Sequence, residues 1–344
     1  MSLQWRSIDS FHNFSDPDST APRPCPVCGR SRYRRILGFD NFQFYTDSTE
    51  LPKQIAVSDS MCADCFTLHK NPSYSELGLR IVLTEAGHSY GASAGREEKD
   101  INALQARGLL RDGGSVLDVG CYDGRFLARF PETVHRVGVD INRTAIDQGK
   151  RSFPDIEFIC RDFETFRTAA NPDLILMLHV LEHLPRPVRA LQNLRANSHP
   201  RTILVVEVPV LELALTNDLN GFFSVLHLTH FSKQSLVNCL HAAGWQVQAV
   251  EEKSDYNGFV AFAVPGPAIP PLRDDLAPSL LYTYLSYWYD SLKKIETRLQ
   301  RLKEIRRCAL WGAGIHTEFL YQLTSVFRSD CHCTLVDMDP LNRG

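Results

Sequence analysis

Four cysteines near the start of the chain fall into two pairs, Cys25-Pro-Val-Cys28 and Cys62-Ala-Asp-Cys65. Each CxxC bends its backbone so that both sulfurs face one ion, and Zn²⁺ favours four thiolates in a tetrahedron. With all four positions filled by protein, such an ion holds the fold and does not catalyse. Gly29 lets the first knuckle turn tightly. A redox use of either CxxC is the competing reading, but redox motifs rarely occur as two matched pairs. The other six of the 10 cysteines share no spacing, which argues against a disulfide framework. Arg30, Arg32, Arg34 and Arg35 flank the first knuckle and read as a solvated face.

A second group of chemically capable residues begins with VLDVGCYDGRF at 116–126, followed by GVDIN at 138–142. A strand ends at Asp118, a glycine turn follows, and a second strand ends in Asp140. Gly120 allows close approach of a ligand to the backbone, and Gly124 lets the next segment pack near the strand end. Asp140 is placed to accept ribose hydroxyls. On spacing alone this order serves NAD or S-adenosylmethionine (SAM). Two imidazoles stand further on: His179 in LMLHVLEHLPRP (176–187) and His227 in SVLHLTHFS (224–232). An imidazole titrates near neutrality, which is the property a general base needs. The competing reading makes His227 a core or helix-capping residue, and treats His179 in the same way.

The elements that must position these groups alternate as α/β folds do. SVLDVG, RVGVDI, IEFICRD, DLILMLHV and TILVVEVPV read as strands, and WQVQAVEEK and FVAFAVP as late strands. Their Val, Ile and Leu content suits a parallel sheet covered on both faces. A helical pattern covers Arg96 to Leu110, RFLARF starts a helix, and TAIDQGKRSF, PVRALQNLRANS and SKQSLVNCLHAAG are further helices. PGPAIPP at 265–271 marks a boundary. A long helix is expected beyond it, with Leu292, Ile295, Leu299, Leu302 and Ile305 as its apolar stripe. RCALWGAGIHTEFLYQLTSVF and CTLVDMDP then read as one βαβ unit. Such a unit cannot bury both faces of its sheet alone. It either docks on the catalytic domain or belongs to a chain truncated at its C-terminus.

VLDVGC with Gly124, then GVDIN, RDFE at 161–164 and LMLHVLEHLPRP together resemble class I SAM-dependent methyltransferases over about 150 residues. The resemblance implies a Rossmann-like α/β domain with SAM as cofactor. It assigns the ribose to Asp140, with Ile141 beside it, the adenine amino group to Asp162, and the ring face to Phe163. The turn Asp118, Gly120, Tyr122 and Gly124 would carry the methionine part, with His179 close to the methyl donor. Asp162 as the cap of a turn is the competing reading. GCYDG departs from the family's usual GCGxG. It is similar to the GSNDG turn of sugar C-methyltransferases of deoxysugar biosynthesis, which also begin with a four-cysteine zinc module and end in a Rossmann-like domain with a GAG turn. Gly312-Ala313-Gly314 matches that turn. In those enzymes a YHEH-type segment performs acid–base work. Here His227 falls on its last His, while Ser224, Val225 and Leu226 replace the rest. Carbon methylation of a nucleotide-linked sugar stays the reading the resemblance implies, and that loss counts against it. Transfer to oxygen or nitrogen, which needs only a base and an aligned donor, is the alternative.

The expected layout is a tail at 1–20, a zinc-binding module at 21–90, a flexible joint at 91–95, a methyltransferase domain at 96–265, and a helical linker with a partial Rossmann-like unit at 272–344. The net charge of −3 predicts no general attraction to nucleic acid or anionic membrane. No apolar run reaches membrane-spanning length, and the first residues lack a signal-peptide core. The chain is therefore expected in the cytoplasm, acting on a small polar metabolite such as a nucleotide-linked sugar. A non-catalytic SAM-fold protein that recruits partners is the alternative from another class. Oligomeric state is not legible.

Overall fold

A computed structural model describes residues 3–4, 17–44, 53–83, 96–169, 171–214, 222–253, 258–301, 304–312, 315–327 and 331–336. The expected joint at 91–95, Leu302, Ala313 and Gly314 lie outside the described residues. In chain order the strands and helices are β1 (Leu3–Gln4), β2 (Thr20–Ala21), β3 (Tyr33–Phe44), β4 (Lys53–Cys62), β5 (Leu68–Lys70), β6 (Ser73–Tyr74) and α1 (Glu76–Leu83). Next come α2 (Arg96–Ala106), β7 (Ser115–Val119), β8 (His135–Asp140), α3 (Arg143–Ser152), β9 (Glu157–Cys160), β10 (Leu174–Leu178), α4 (Pro187–Ala196) and β11 (Ile203–Pro209). The chain continues through β12 (Thr229–His230), α5 (Lys233–Ala242), β13 (Trp245–Glu252), β14 (Gly258–Pro265), α6 (Ala277–Arg301), β15 (Arg307–Trp311), α7 (Ile315–Leu323) and β16 (His332–Val336).

The central sheet has seven strands in the order β13-β14-β11-β10-β7-β8-β9. Strands β7 to β11 run parallel, as their unbroken apolar sequences require. The late strands differ from the all-parallel expectation: β14 pairs antiparallel with β11 and with β13. Strand order reverses between β7 and β10, and in open α/β sheets such a switch point opens a crevice beyond the strand ends.

Local sequence explains where the helices begin. The Asn142 side chain accepts from the Ala145 amide and caps α3, and a Ser232–Ser235 capping box opens α5. Pro187 starts α4, where its missing N–H costs nothing. The helix expected from RFLARF is only a 3₁₀ turn, Leu127–Arg129. Phe130 turns extended before Pro131, and a proline disfavours the helical conformation in the residue ahead of it.

A second, four-stranded sheet has the order β12-β5-β4-β3. Strand β12 arises between β11 and α5, yet it pairs antiparallel with β5, at Thr229↔His69 and His230↔Leu68. The N-terminal region is thus joined to the central fold by backbone pairing. Residues 17–21, expected within a tail and at its edge, form a 3₁₀ turn and then β2, which pairs with β6.

The apolar stripe of α6 also differs from expectation. Ala277, Leu281, Tyr284 and Trp288 are its buried residues, at helical spacing, while Ile305 lies beyond the helix and is exposed. Trp288 and Phe319 pack edge to face at 5.0 Å, and Phe319 also meets Phe42 at 5.1 Å. The terminal unit β15-α7-β16 therefore docks on β3 of the N-terminal sheet, where the Gln43 amide donates to Glu318 Oε1 at 3.0 Å. Strands β15 and β16 pair parallel, and β1 adds antiparallel to β16. No helix among the described residues is long and apolar enough to cross a membrane.

Candidate functional site

The switch point brings the turn after β7 against the turn after β10. Gly120 has φ +84°, and a Cβ there would stand 2.3 Å from Val180 Cγ2. Gly124 has φ +79°, with Phe158 Cζ 2.4 Å from where its Cβ would be. Only glycine combines that dihedral with that clearance. Tyr122 between them takes φ +51°, a conformation that costs a residue with a side chain about 1 kcal/mol or more. Its amide donates to Asp140 Oδ2 at 3.0 Å, and the Asn142 amide donates to Oδ1 at 2.8 Å. The carboxylate of Asp140 is thus fixed at the end of β8, with lone pairs remaining for further donors.

Burial pushes the Asp118 carboxyl up to about 7, and Asp140 nearby adds to the rise. Burial likewise raises Asp140 against the pull of its backbone amides. A dry carboxylate pair of this kind favours a cationic ligand. Ile141 is 54% exposed directly after Asp140, an apolar surface left open beside the acid. Asp162 follows β9 and is exposed, its Oδ1 accepting from the Glu164 amide at 2.6 Å. Phe163 turns inward instead. It is buried in the core beside α4, and its carbonyl accepts from Asn193 Nδ2 at 3.0 Å. Its ring anchors the Asp162 turn, so little of it faces a ligand.

His179 holds a left-handed conformation, φ +57°, just past β10. Its Nε2 lies 2.8 Å from Glu207 Oε1 on β11, and its Nδ1 3.5 Å from Glu182 Oε1. Burial opposes its charge, but the two carboxylates hold its pKa above the ordinary histidine value. Glu207 also receives Arg96 Nη2 at 2.6 Å and Lys253 Nζ at 2.8 Å. Burial works against that charge too, and these three partners overcome it, drawing the Glu207 carboxyl down to about 2.

A 3₁₀ turn at Leu181–His183 sets Glu182 and His183 facing His227. One ligand atom from each lies within 4.8 Å of the others. The His183 and His227 rings meet edge to face at 5.0 Å. Burial, with His183 and His230 nearby, pushes the His227 pKa well below the usual histidine value, so its imidazole is neutral. His230 is placed elsewhere: fully buried, it sits 2.7 Å from Asp59 Oδ1, which Lys70 Nζ also reaches at 3.0 Å. Glu182, His183 and Glu207 were not singled out from the sequence. Glu182 and His183 stood in view inside HVLEH, and an acid within the apolar run VVEVP was a signal for Glu207.

The four knuckle cysteines also converge. Their sulfurs lie within 4.8 Å of one another, with Cys25–Cys65 and Cys28–Cys62 each at 3.6 Å. Four sulfurs about 2.3 Å from a central zinc would stand about 3.8 Å apart, so the set fits that ion. Arg23, next to this cluster, donates to Lys70 O at 3.2 Å, Pro185 O at 2.8 Å and Leu228 O at 2.6 Å. The knuckle is thereby pinned to both segments that carry Glu182, His183 and His227.

Residues 95–250 match a family described as a methyltransferase domain. A trans-aconitate 2-methyltransferase from Azoarcus sp. (strain BH72) is 30% identical over 110 residues, 31% of this chain and 43% of that protein. The chain thus spans less than half the length of that relative. Among solved structures, a SAM-dependent methyltransferase from Methanosarcina mazei is similar at 16% identity and a TM-score of 0.41, over 47% of this chain and 97% of the other. The N-methyltransferase NodS from Bradyrhizobium japonicum WM9 is similar at 18% identity and a TM-score of 0.39, over 51% and 99%.

Proposed function

We propose, from the class I SAM-dependent methyltransferase domain within residues 95–250, that this chain transfers a methyl group to oxygen or nitrogen of a small polar metabolite. The observation that carries this reading is the Glu182–His183–His227 group, set beside the glycine turn through the Val180–Gly120 contact. When bound, SAM supplies an electrophilic methyl on a positively charged sulfur. Asp140 and Ile141 would hold the ribose and the adjoining ring edge, Asp162 with the anchored Phe163 the adenine, and the Asp118–Gly120–Tyr122–Gly124 turn the methionine part. His179, fixed by Glu207, closes the site at the end of β10. Glu182, His183 and His227 are the groups positioned to handle the acceptor's proton, with His227 supplying a neutral imidazole.

The four-cysteine cluster supports a structural Zn²⁺ in the N-terminal module proposed at 21–90, packed against the methyltransferase domain proposed at 96–265, with the terminal unit proposed at 272–344. A relative named for trans-aconitate, a small polar acid, is in keeping with a metabolite acceptor. Incubating the chain with methyl-labelled SAM and a metabolite panel, followed by mass spectrometry, tests the reading. Label on oxygen or nitrogen is expected. Label on carbon, with loss of a deuterium from that carbon, would overturn it and favour a sugar C-methyltransferase. SAM binding without transfer to any acceptor would favour a non-catalytic partner-binding protein.

A further inference from the structure

Glu182 presents a contradiction that the methyltransferase reading does not resolve. Its side chain is 1% exposed, and among the described residues neither carboxylate oxygen has a hydrogen-bond partner. His179 Nδ1 at 3.5 Å and His183 Nε2 at 3.8 Å face Oε1 at ion-pair distance, longer than a good hydrogen bond. The His179 imidazole offsets part of the charge at this distance, but both oxygens still lack a hydrogen-bond donor, and a bound cation would satisfy them.

The two imidazoles are set up to share in that remedy. His183 Nδ1 lies 3.0 Å from the Leu226 carbonyl, and His227 Nδ1 lies 3.4 Å from the Phe222 carbonyl. A metal-ligating histidine is commonly oriented in this way, by a hydrogen bond from one ring nitrogen to a backbone carbonyl. The Leu228 amide donates to the Glu182 carbonyl at 2.7 Å, locking the 3₁₀ turn to the segment that carries His227. The cluster is therefore held by backbone on both sides.

We infer that Glu182, His183 and His227 form a binding site for a first-row divalent cation, separate from the four cysteines. One carboxylate and two imidazoles suit ions such as Zn²⁺, Mn²⁺ or Fe²⁺, and three protein ligands leave positions open for substrate oxygens. Resting on the proposed methyl transfer, the site favours an acceptor that offers a hydroxyl beside a second oxygen, so that both reach the ion. A bound ion would lower the pKa of the acceptor hydroxyl, so that the cluster would promote loss of the acceptor's proton to solvent through the ion, in place of His227 taking it directly. His227 then serves through ligation.

Metal content decides the matter without any acceptor. The full chain and its Glu182→Gln and His227→Gln variants are dialysed against Mn²⁺ and then against metal-free buffer, and all metals per chain are counted by mass spectrometry. The inference expects the wild type to hold about one more ion per chain than either variant, whatever the ion. Equal metal content in wild type and Glu182→Gln would overturn it. Calorimetry with SAM on the same samples keeps the two readings apart. Unchanged SAM affinity in a metal-poor variant supports the site. Absence of SAM binding in the wild type would count against the methyltransferase reading alone.

Discussion

At the scale of residues, the buried carboxylates carry the sharpest consequences. Asp118 ionises in the folded chain only near pH 7, against an ordinary value of 3.8, because burial and Asp140 oppose its charge. For an acid raised in this way, its contribution to stability falls as pH climbs from the unfolded value through about 7. A cationic ligand reverses that penalty, so SAM should bind about tenfold more tightly at pH 8 than at pH 6. Calorimetry at the two pH values checks this, with Asp118→Asn expected to flatten the difference; a flat wild-type profile would contradict it. Asp59 tests a different point. It answers both Lys70 and His230, and all three side chains are wholly buried. Asp59→Asn would leave the Lys70 ammonium uncompensated and should cost about 3–5 kcal/mol, visible in thermal melts. An unchanged melting temperature would show that the triad contributes nothing. Asp140 and the glycine turn were legible because the spacing from one strand through the turn to the next strand is local. The Asp59 triad was not, because His230 stands 171 positions away in the chain and no sequence pattern announces such a meeting.

Among elements, the notable contacts are those that cross between sheets. Arg23 ties the first knuckle to Pro185 and Leu228, so the four-cysteine cluster, with the zinc proposed for it, supports the turn that holds His183. Removing the metal, or Cys25→Ser, should expose residues 21–75 to protease and speed amide exchange at 222–231. Intact protection in a metal-free sample would separate the knuckle from the site. The terminal unit offers a second test. Phe319→Ala would open a gap among Phe39, Phe42 and Trp288 and should cost about 3–5 kcal/mol. Loss of that packing should free α7 without weakening SAM binding, since the residues proposed to hold the cofactor follow strands of the central sheet. A matching loss of SAM affinity would show the terminal unit to be part of the site. The sequence announced this βαβ unit through its glycines and apolar runs. Its docking face was hidden, because Glu318 and Gln43 are 275 positions apart. Likewise, the period of α6 was legible, but which turns of the helix would be covered depended on the partner.

For the molecule as a whole, a seven-stranded α/β sheet reverses its strand order between β7 and β10, and a four-stranded sheet meets the turn after β10 through β12. The central claim is that the crevice at the β7–β10 switch point holds SAM through Asp140. Calorimetric titration of SAM into the full chain and into Asp140→Ala tests it most directly. About one SAM per wild-type chain is expected, with a loss of about 1.5–3 kcal/mol in the variant, roughly ten- to a hundredfold in affinity, and a melting temperature little changed. Equal SAM affinity in the two proteins, or tight binding of NAD in place of SAM by the wild type, would contradict it.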